Sequence, residues 1–255
     1  PKQIRVTDLF DEVTEEHARR TTAMHVTSRA GGGLPPVTCA VVAVCSGDGL
    51  AELFSNLGVQ GIVTGGQTMN PSTAELLDTV EHVNADQVVI LPNNKNIIPV
   101  AQQVDALTAK QVVVVPTRSM PEALAALVVY DPEASGDDNG AQMAEAAASV
   151  ATGEITQAVR DTNSEVGSIT EGDWIGLVRG DGIVAVAPDV AGAATALLEH
   201  LVAPGRELIT VITGAGATAA TTATIEGWLA DRHADVQVEV HRGGQPLYPY
   251  LFGVE

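Results

Sequence analysis

From Pro36 to Tyr130 the chain repeats one pattern: a short run of Val and Ile, a polar loop, then a stretch with apolar residues at helical spacing. The runs are "VTCAVVAV" (37–44), "QGIVTG" (60–65), "QVVILP" (87–92) and "KQVVVVPT" (110–117). Each is almost continuously β-branched, without polar alternation, so each predicts a strand covered on both faces. Four successive βα units predict an α/β lobe built on a parallel sheet with flanking helices. Ahead of it, "VTDLFDEVTEEHARR" (6–20) sets Leu9, Phe10 and Val13 on one helical stripe. "SRAGGGLPP" (28–36) then reads as a flexible linker.

After the sheet, "YDPEASGDDNGAQ" (130–142) reads as an acidic, turn-rich connection. The remainder has a helical "AQMAEAAASVA" (141–151), helices near 190–202 and 219–231, and several short strand-like pieces. Those pieces are "EITQAVRDT", "DWIGLVRG", "GIVAVAP", "ELITVITGAG" and "VQVEVHRGG". "RGDG" at 179–182 is a hairpin signal between two of them. Alternation of Tyr248, Tyr250 and Phe252 predicts a last strand. The expected organisation is a helical tail of a preceding domain (1–30), a first α/β lobe (31–130) and a smaller second lobe with a mixed sheet (131–255). The start at Pro1 instead of Met predicts a fragment of a longer protein.

A hydrophobic content of 45% over 255 residues supplies a sizeable core. A formal net charge of -19 excludes a broad electrostatic footprint for nucleic acid or an anionic membrane surface, although it leaves room for a local basic pocket. Cys39 and Cys45 lie six residues apart, on one side of one predicted strand, and are expected as buried free thiols. No apolar stretch approaches the roughly 20 residues of a membrane span, and the start lacks a signal-peptide pattern, so a cytoplasmic location is expected.

In an open parallel sheet, ligands gather beyond the carboxyl ends of the strands. Each strand here meets a polar loop at that end: Ser46-Gly47-Asp48-Gly49, Gln67-Thr68-Met69-Asn70, Asn93-Asn94-Lys95-Asn96 and Thr117-Arg118-Ser119. In "GGQTMNPSTAELLD" (65–78) Gly65 and Gly66 permit a tight exit from the strand, and Ser72 with Glu75 forms an S-x-x-E capping box. Backbone N–H groups there, beside a helix N-terminus, suit an oxyanion such as a carboxylate or phosphate. The candidate ligand-binding residues are therefore Gly66, Gln67, Thr68, Asn70, Ser72, Asn93, Asn94, Lys95, Asn96 and Arg118. The competing reading makes these residues helix caps and turn fillers. The second lobe adds Arg160, which needs Asp161 or Asp173 as a partner if buried, and His241, which precedes a second "GGQ". Metal spacing such as H-x-x-x-H or C-x-x-C, a G-x-S-x-G elbow and a P-loop are all absent, so no catalytic residue is assigned.

Several long motifs in order, "GGQTMNPSTAELLDTV", "ILPNNKNI", "VVVVPTRSMPEALAAL", "AVRDT" and "GGQPLYPYLFGVE", resemble the C-terminal region of the A-type protein of bacterial fatty acid kinases, which is dihydroxyacetone-kinase-like. The resemblance runs from about residue 36 to 255, and "EEHARR" looks like the end of that protein's middle domain. It implies that ATP and magnesium belong to an N-terminal helical domain whose Asp-rich loop has no match here. None of the middle domain's metal ligands carries over to His17 or His25. It implies a two-lobed fold similar to DegV-like acyl-binding proteins, in which loops at the carboxyl end of the first sheet hold the fatty acid carboxylate and the acyl tail lies in an apolar tunnel. "GGQTMNPST" and "LPNNKN" stand at the corresponding places in chain order.

The leading expectation is a non-catalytic docking or regulatory region of a two-component acyl kinase, which holds an acyl-loaded DegV-like partner near a distant ATP site. The second is a module that senses a fatty acid or small anion in the interlobe cleft. The third is a dihydroxyacetone-type kinase component using a histidine to hold a carbonyl substrate. The sequence also admits a homodimer.

Overall fold

The computed structural model describes residues 29–30, 35–64 and 70–255. The expected opening helix over 6–20 and the turn residues Gly66, Gln67 and Thr68 lie outside the described residues.

The first sheet has the order β1-β3-β2-β4-β5, formed by β1 (Arg29–Ala30), β2 (Cys39–Cys45), β3 (Gly61–Thr64), β4 (Gln87–Leu91) and β5 (Gln111–Val114). β2 to β5 are parallel, as their β-branched runs predict. The expected linker over 28–36 contributes an element of its own, because β1 pairs antiparallel with β3 at Arg29↔Ile62 and Ala30↔Gly61. Four helices punctuate this part: α1 (Asp48–Asn56), α2 (Thr73–His82), the short α3 (Ile98–Gln102) and α4 (Met120–Val128).

β2 shows why the runs lack alternation. Cys39, Val41, Ala43 and Cys45 pack into one apolar layer with Leu50 and Phe54 of α1, while Ala40, Val42 and Val44 pack into another with Leu76 and Val80 of α2. Both faces are dry, so every position is apolar. Cys39 and Cys45 share a face, are buried and are free thiols. Burial pushes the Cys45 thiol up to about 12.

The second sheet is mixed, with six strands in the order β10-β9-β6-β13-β11-β12. These are β6 (Ala151–Gln157), β9 (Trp174–Val178), β10 (Gly182–Ala187), β11 (Leu208–Thr213), β12 (Gln237–Arg242) and β13 (Tyr250–Val254). Only β11 and β12 pair in parallel; the expected "RGDG" hairpin joins β9 to β10, with Val178 opposite Gly182. A small hairpin of β7 (Thr162–Ser164) and β8 (Gly167–Ile169) stands apart from both sheets. α6 (Val190–Leu201) and α7 (Ala219–Arg232) cover one face, where Leu197, Leu198, Ile225 and Leu229 meet Ile155, Tyr250 and Phe252.

The other face turns toward the first lobe. Ile212 of β11 and Leu251 of β13 join the apolar cluster of Cys39, Leu50 and Phe54. α5 (Gly136–Ser149) begins inside the stretch expected as a connection, capped by Ser135, whose side chain accepts from Asp138 N–H. It packs on α4, β4 and β5, and thus on the first sheet. A backbone suture completes the junction: Leu50 N–H donates to Gly243 O at 3.0 Å. Gly49 has to be glycine here because a Cβ would collide with the carbonyl of Arg242, and Gly47 sits at a φ of 114° that side chains avoid. The loop after β2 and the "GGQ" at 243–245 are therefore pressed together, fixing the angle between the lobes.

Candidate functional site

The chain leaves β2 toward β3 on one side and reaches β4 on the other. Such a reversal of strand order opens a crevice at the carboxyl ends. Beyond β4 and β5, between the two lobes, lies a cleft of about 560 Å³. Its first-lobe wall holds Asn94, Lys95, Asn96, Arg118, Ser119, Pro121 and Glu122; its second-lobe floor holds Thr152, Glu154, Leu177, Arg179, Tyr248 and Leu251.

The loop after β4 is built by Asn93. It is buried, with a left-handed φ of 56° that Asn tolerates, and its Nδ2 donates to Val44 O at 2.9 Å. Its Oδ1 accepts from Thr117 Oγ1 at 2.6 Å, and its N–H donates to the same hydroxyl at 3.1 Å. Asn93 thereby ties the ends of β2 and β4 to the loop after β5, and its side chain is occupied. Asn94 Oδ1 accepts from Asn96 N–H at 2.9 Å, a local turn that lifts the exposed Lys95 into the cleft mouth.

The loop after β5 is organised by Glu122, in the first turn of α4. Ser119 caps that helix, accepting from Glu122 N–H. The buried Glu122 carboxylate accepts from Arg118 N–H at 2.8 Å through Oε2 and from Arg179 Nη1 at 2.7 Å through Oε1. A side chain only 2% exposed is thus satisfied by one donor from each lobe, and the ion pair with Arg179 closes one end of the cleft. The Arg118 side chain is left exposed on the wall, with no partner among the described residues.

On the floor, Ile155 points to α6 and α7, so Thr152 and Glu154 face the first lobe. Burial pushes the Glu154 carboxyl above its ordinary value, and the charge of Lys95 partly offsets this. Burial also raises the Tyr248 hydroxyl, with the Glu154 charge adding to the effect. Among the described residues, the void behind this wall that is lined by Val44, Cys45, Ile97 and Met120 measures 10 Å³, room for about one water.

The cleft brings together four of the candidates, Asn94, Lys95, Asn96 and Arg118. The other described candidates do not line it. Ser72 makes the expected capping box: its Oγ accepts from Glu75 N–H at 3.2 Å, its own N–H donates to Glu75 Oε2 at 2.6 Å, and its hydroxyl is occupied. Asn70 is exposed outside this cleft. Arg160 is exposed beyond the end of β6, so it needs no buried partner. His241 sits on the edge strand β12, with Nε2 3.5 Å from Glu239 Oε2, and does not line the cleft. The second-lobe floor escaped sequence reading, although alternation in "ATGEITQ" already sets Thr152 and Glu154 opposite Ile155. Among the described residues no group of three or more His, Cys, Asp or Glu converges to hold a metal ion, and no helix is long and apolar enough to cross a membrane.

Solved structures share this two-lobed fold. A DegV family protein from Corynebacterium glutamicum superposes with a TM-score of 0.62 at 13% identity, covering 86% of this chain and 96% of that one. The Streptococcus pneumoniae fatty acid kinase B3 protein, loaded with linoleic acid, gives 0.58 at 9% identity over 86% and 99%. The dihydroxyacetone kinase of C. freundii, in complex with AMP-PNP and Mg2+, gives 0.60 at 13% identity over 100% and 56%. At such identities the likeness is one of fold. In sequence, uncharacterized proteins of Staphylococcus aureus strains USA300 and MRSA252 are 39% identical over 219 residues, or 86% of this chain. The chain spans 40% of the length of these curated relatives. The family model for the C-terminal part of FakA-like fatty acid kinase proteins matches residues 40–255. The resemblance carried by the loop motifs therefore holds, and the chain belongs to the FakA-like, C-terminal family of fatty acid kinase proteins.

Proposed function

We propose that this chain is the non-catalytic docking and regulatory region of a two-component fatty acid kinase, and that an acyl-loaded DegV-like partner engages it at the mouth of the interlobe cleft. The reading assigns ATP and magnesium to a domain outside this chain. Its work is positional: holding the partner turns an encounter between two proteins into an oriented complex, which lowers the entropic part of the barrier to phosphoryl transfer.

The observation that carries the reading is the cleft itself in a chain of this family. Lys95, Arg118 and Arg179 gather around one opening in a protein of net charge -19. Opposed charge of this kind steers encounter and sets orientation.

The test is surface-captured chain against the partner protein, loaded with fatty acid or stripped of it, with ATP as a separate analyte. The expected result is saturable binding of the loaded partner and none of ATP. A flat response to the partner overturns the proposal, and so does ATP turnover by the chain alone with fatty acid or dihydroxyacetone as acceptor.

A further inference from the structure

The cleft sets engaged polar groups beside unengaged ones. Lys95 and Glu154 face each other across the opening and feel each other's charge, yet no ion pair joins them. Arg118 has no partner for its guanidinium among the described residues. Thr152 is 8% exposed, lines the cleft, and its hydroxyl has no partner among the described residues. Arg179, by contrast, is engaged with Glu122. Among the described residues the gap is thus bounded by two cations without a partner, a hydroxyl without one and, besides the engaged Glu122, one further carboxylate, Glu154, with Tyr248 beside it. The suture at Leu50 and Gly243 holds the two walls in place before any ligand arrives.

We propose that this gap is a binding site for a phosphate monoester or hydrogen phosphate group, with Lys95, Arg118 and Thr152 donating to its oxygens and Glu154 accepting the hydrogen bond from its remaining P–OH. A fully ionised tetrahedral anion such as sulfate has no proton to give Glu154 and meets carboxylate against oxyanion, so the carboxylate selects for the ligand that still carries one. Phosphate monoesters suit it because their second ionisation lies near 6, so both protonation states are populated near neutral pH. The 560 Å³ of the cleft exceeds what a bare phosphate fills, and Pro121, Leu177 and Leu251 supply an apolar bed for an organic remainder.

The site shares the cleft with the proposed docking surface but is tested without a partner, so either reading can fail with the other intact. Calorimetric titration of the chain with inorganic phosphate, glycerol 3-phosphate and sulfate, near neutral pH and constant ionic strength, reads the selectivity directly. The expected result is that phosphate binds about tenfold or more tightly than sulfate, one hydrogen bond to a charged group gained against one repulsion. Tighter binding of glycerol 3-phosphate assigns the site to an organic phosphate; equal affinity assigns it to the free ion. Glu154→Gln, whose amide can donate to either anion, should abolish the preference for phosphate while the protein stays folded. Lys95→Met and Arg118→Met should each weaken both anions about tenfold. No phosphate binding, equal binding of sulfate by the unaltered chain, or a preference that survives Glu154→Gln overturns the proposal.

Discussion

Replacing Arg179 by methionine should destabilise the protein more than neutralising its partner does. Arg179→Met leaves the Glu122 carboxylate, 2% exposed, with the Arg118 N–H as its remaining donor. Stranding a buried charge costs about 3–5 kcal/mol, and the neighbouring cleft admits water, so about 2–3 kcal/mol is expected. Glu122→Gln keeps the shape and one acceptor oxygen and strands no charge, because the Arg179 side chain is 44% exposed and can turn to water; it leaves only a neutral amide NH2 without an acceptor. Losing a charge-assisted hydrogen bond this way costs about 1–2 kcal/mol. In the double variant the charge that Arg179→Met would strand is gone, so the loss should lie close to that of Glu122→Gln alone and leave a coupling equal to the Arg179→Met loss, about 2–3 kcal/mol. Urea unfolding followed by far-UV circular dichroism and by tryptophan fluorescence measures all four states. Trp174 and Trp228 both report on the second lobe, so coincident transitions also show that the lobes unfold together. For a chain of this size the Arg179→Met loss corresponds to a fall in Tm of about 5–10 °C. Purely additive single variants, or a loss from Arg179→Met no larger than the roughly 0.5 kcal/mol of an ordinary surface change, refute the clamp.

Lys110→Met should cost about 1–2 kcal/mol, read as a lower Tm, because Lys110 Nζ donates to Val80 O (2.8 Å), Glu81 O (3.2 Å) and Val83 O (2.7 Å) and so closes the C-terminus of α2. Cys45, with its thiol pushed up to about 12 inside the first core, should resist an aromatic disulfide reagent near pH 8 in the native chain and react once urea unfolds it; rapid native labelling contradicts that burial. Glu154 has a folded-state pKa above its ordinary value, so folding favours its protonated form. That contribution is fully present below the unfolded-state pKa and is lost as pH rises through the raised folded value. Glu154→Gln should therefore be more stable than the unaltered chain at neutral pH, with the difference shrinking as pH falls through the raised value; a pH-independent difference in unfolding midpoint contradicts the assignment.

The parallel lobe was legible because its central strand β2 is covered on both faces, an environment that suits "CAVVAV" without alternation, and polar turn residues bound the run. The capping box at Ser72 and Glu75 was legible because its partners lie three residues apart and depend on nothing distant. α5 shows the limit. "SGDDNG" has the composition of a turn, yet Gly136 and Gly140 stand one helical turn apart against β5, and a Cβ at Gly140 would come within 2.5 Å of Val113 Cγ1. Their poor helix propensity is outweighed by a close helix-to-sheet approach that a local reading does not contain. The two-residue β1 and the β7–β8 hairpin escaped for a related reason, since such short pieces hold no periodicity.

For the cleft, the loops after β4 and β5 announced Lys95 and Arg118 by their polarity and place in a parallel sheet. Alternation in β6 could give the face of Glu154 but not what that face looks at. Asn93, equally polar in sequence, proves to be mortar between strand ends, because only the fold brings Val44 and Thr117 to it. Arg160 lies in an apolar string but past the end of its strand, where solvent solvates it.

Hydrogen–deuterium exchange on the chain, alone and with the acyl-loaded partner, tests the central claim most directly. Docking at the cleft mouth predicts new protection over 94–96, 118–122 and 152–154 and around Tyr248, with the α6 and α7 face unchanged. Protection confined to α6 and α7, with the cleft loops exchanging as in the free chain, would contradict it.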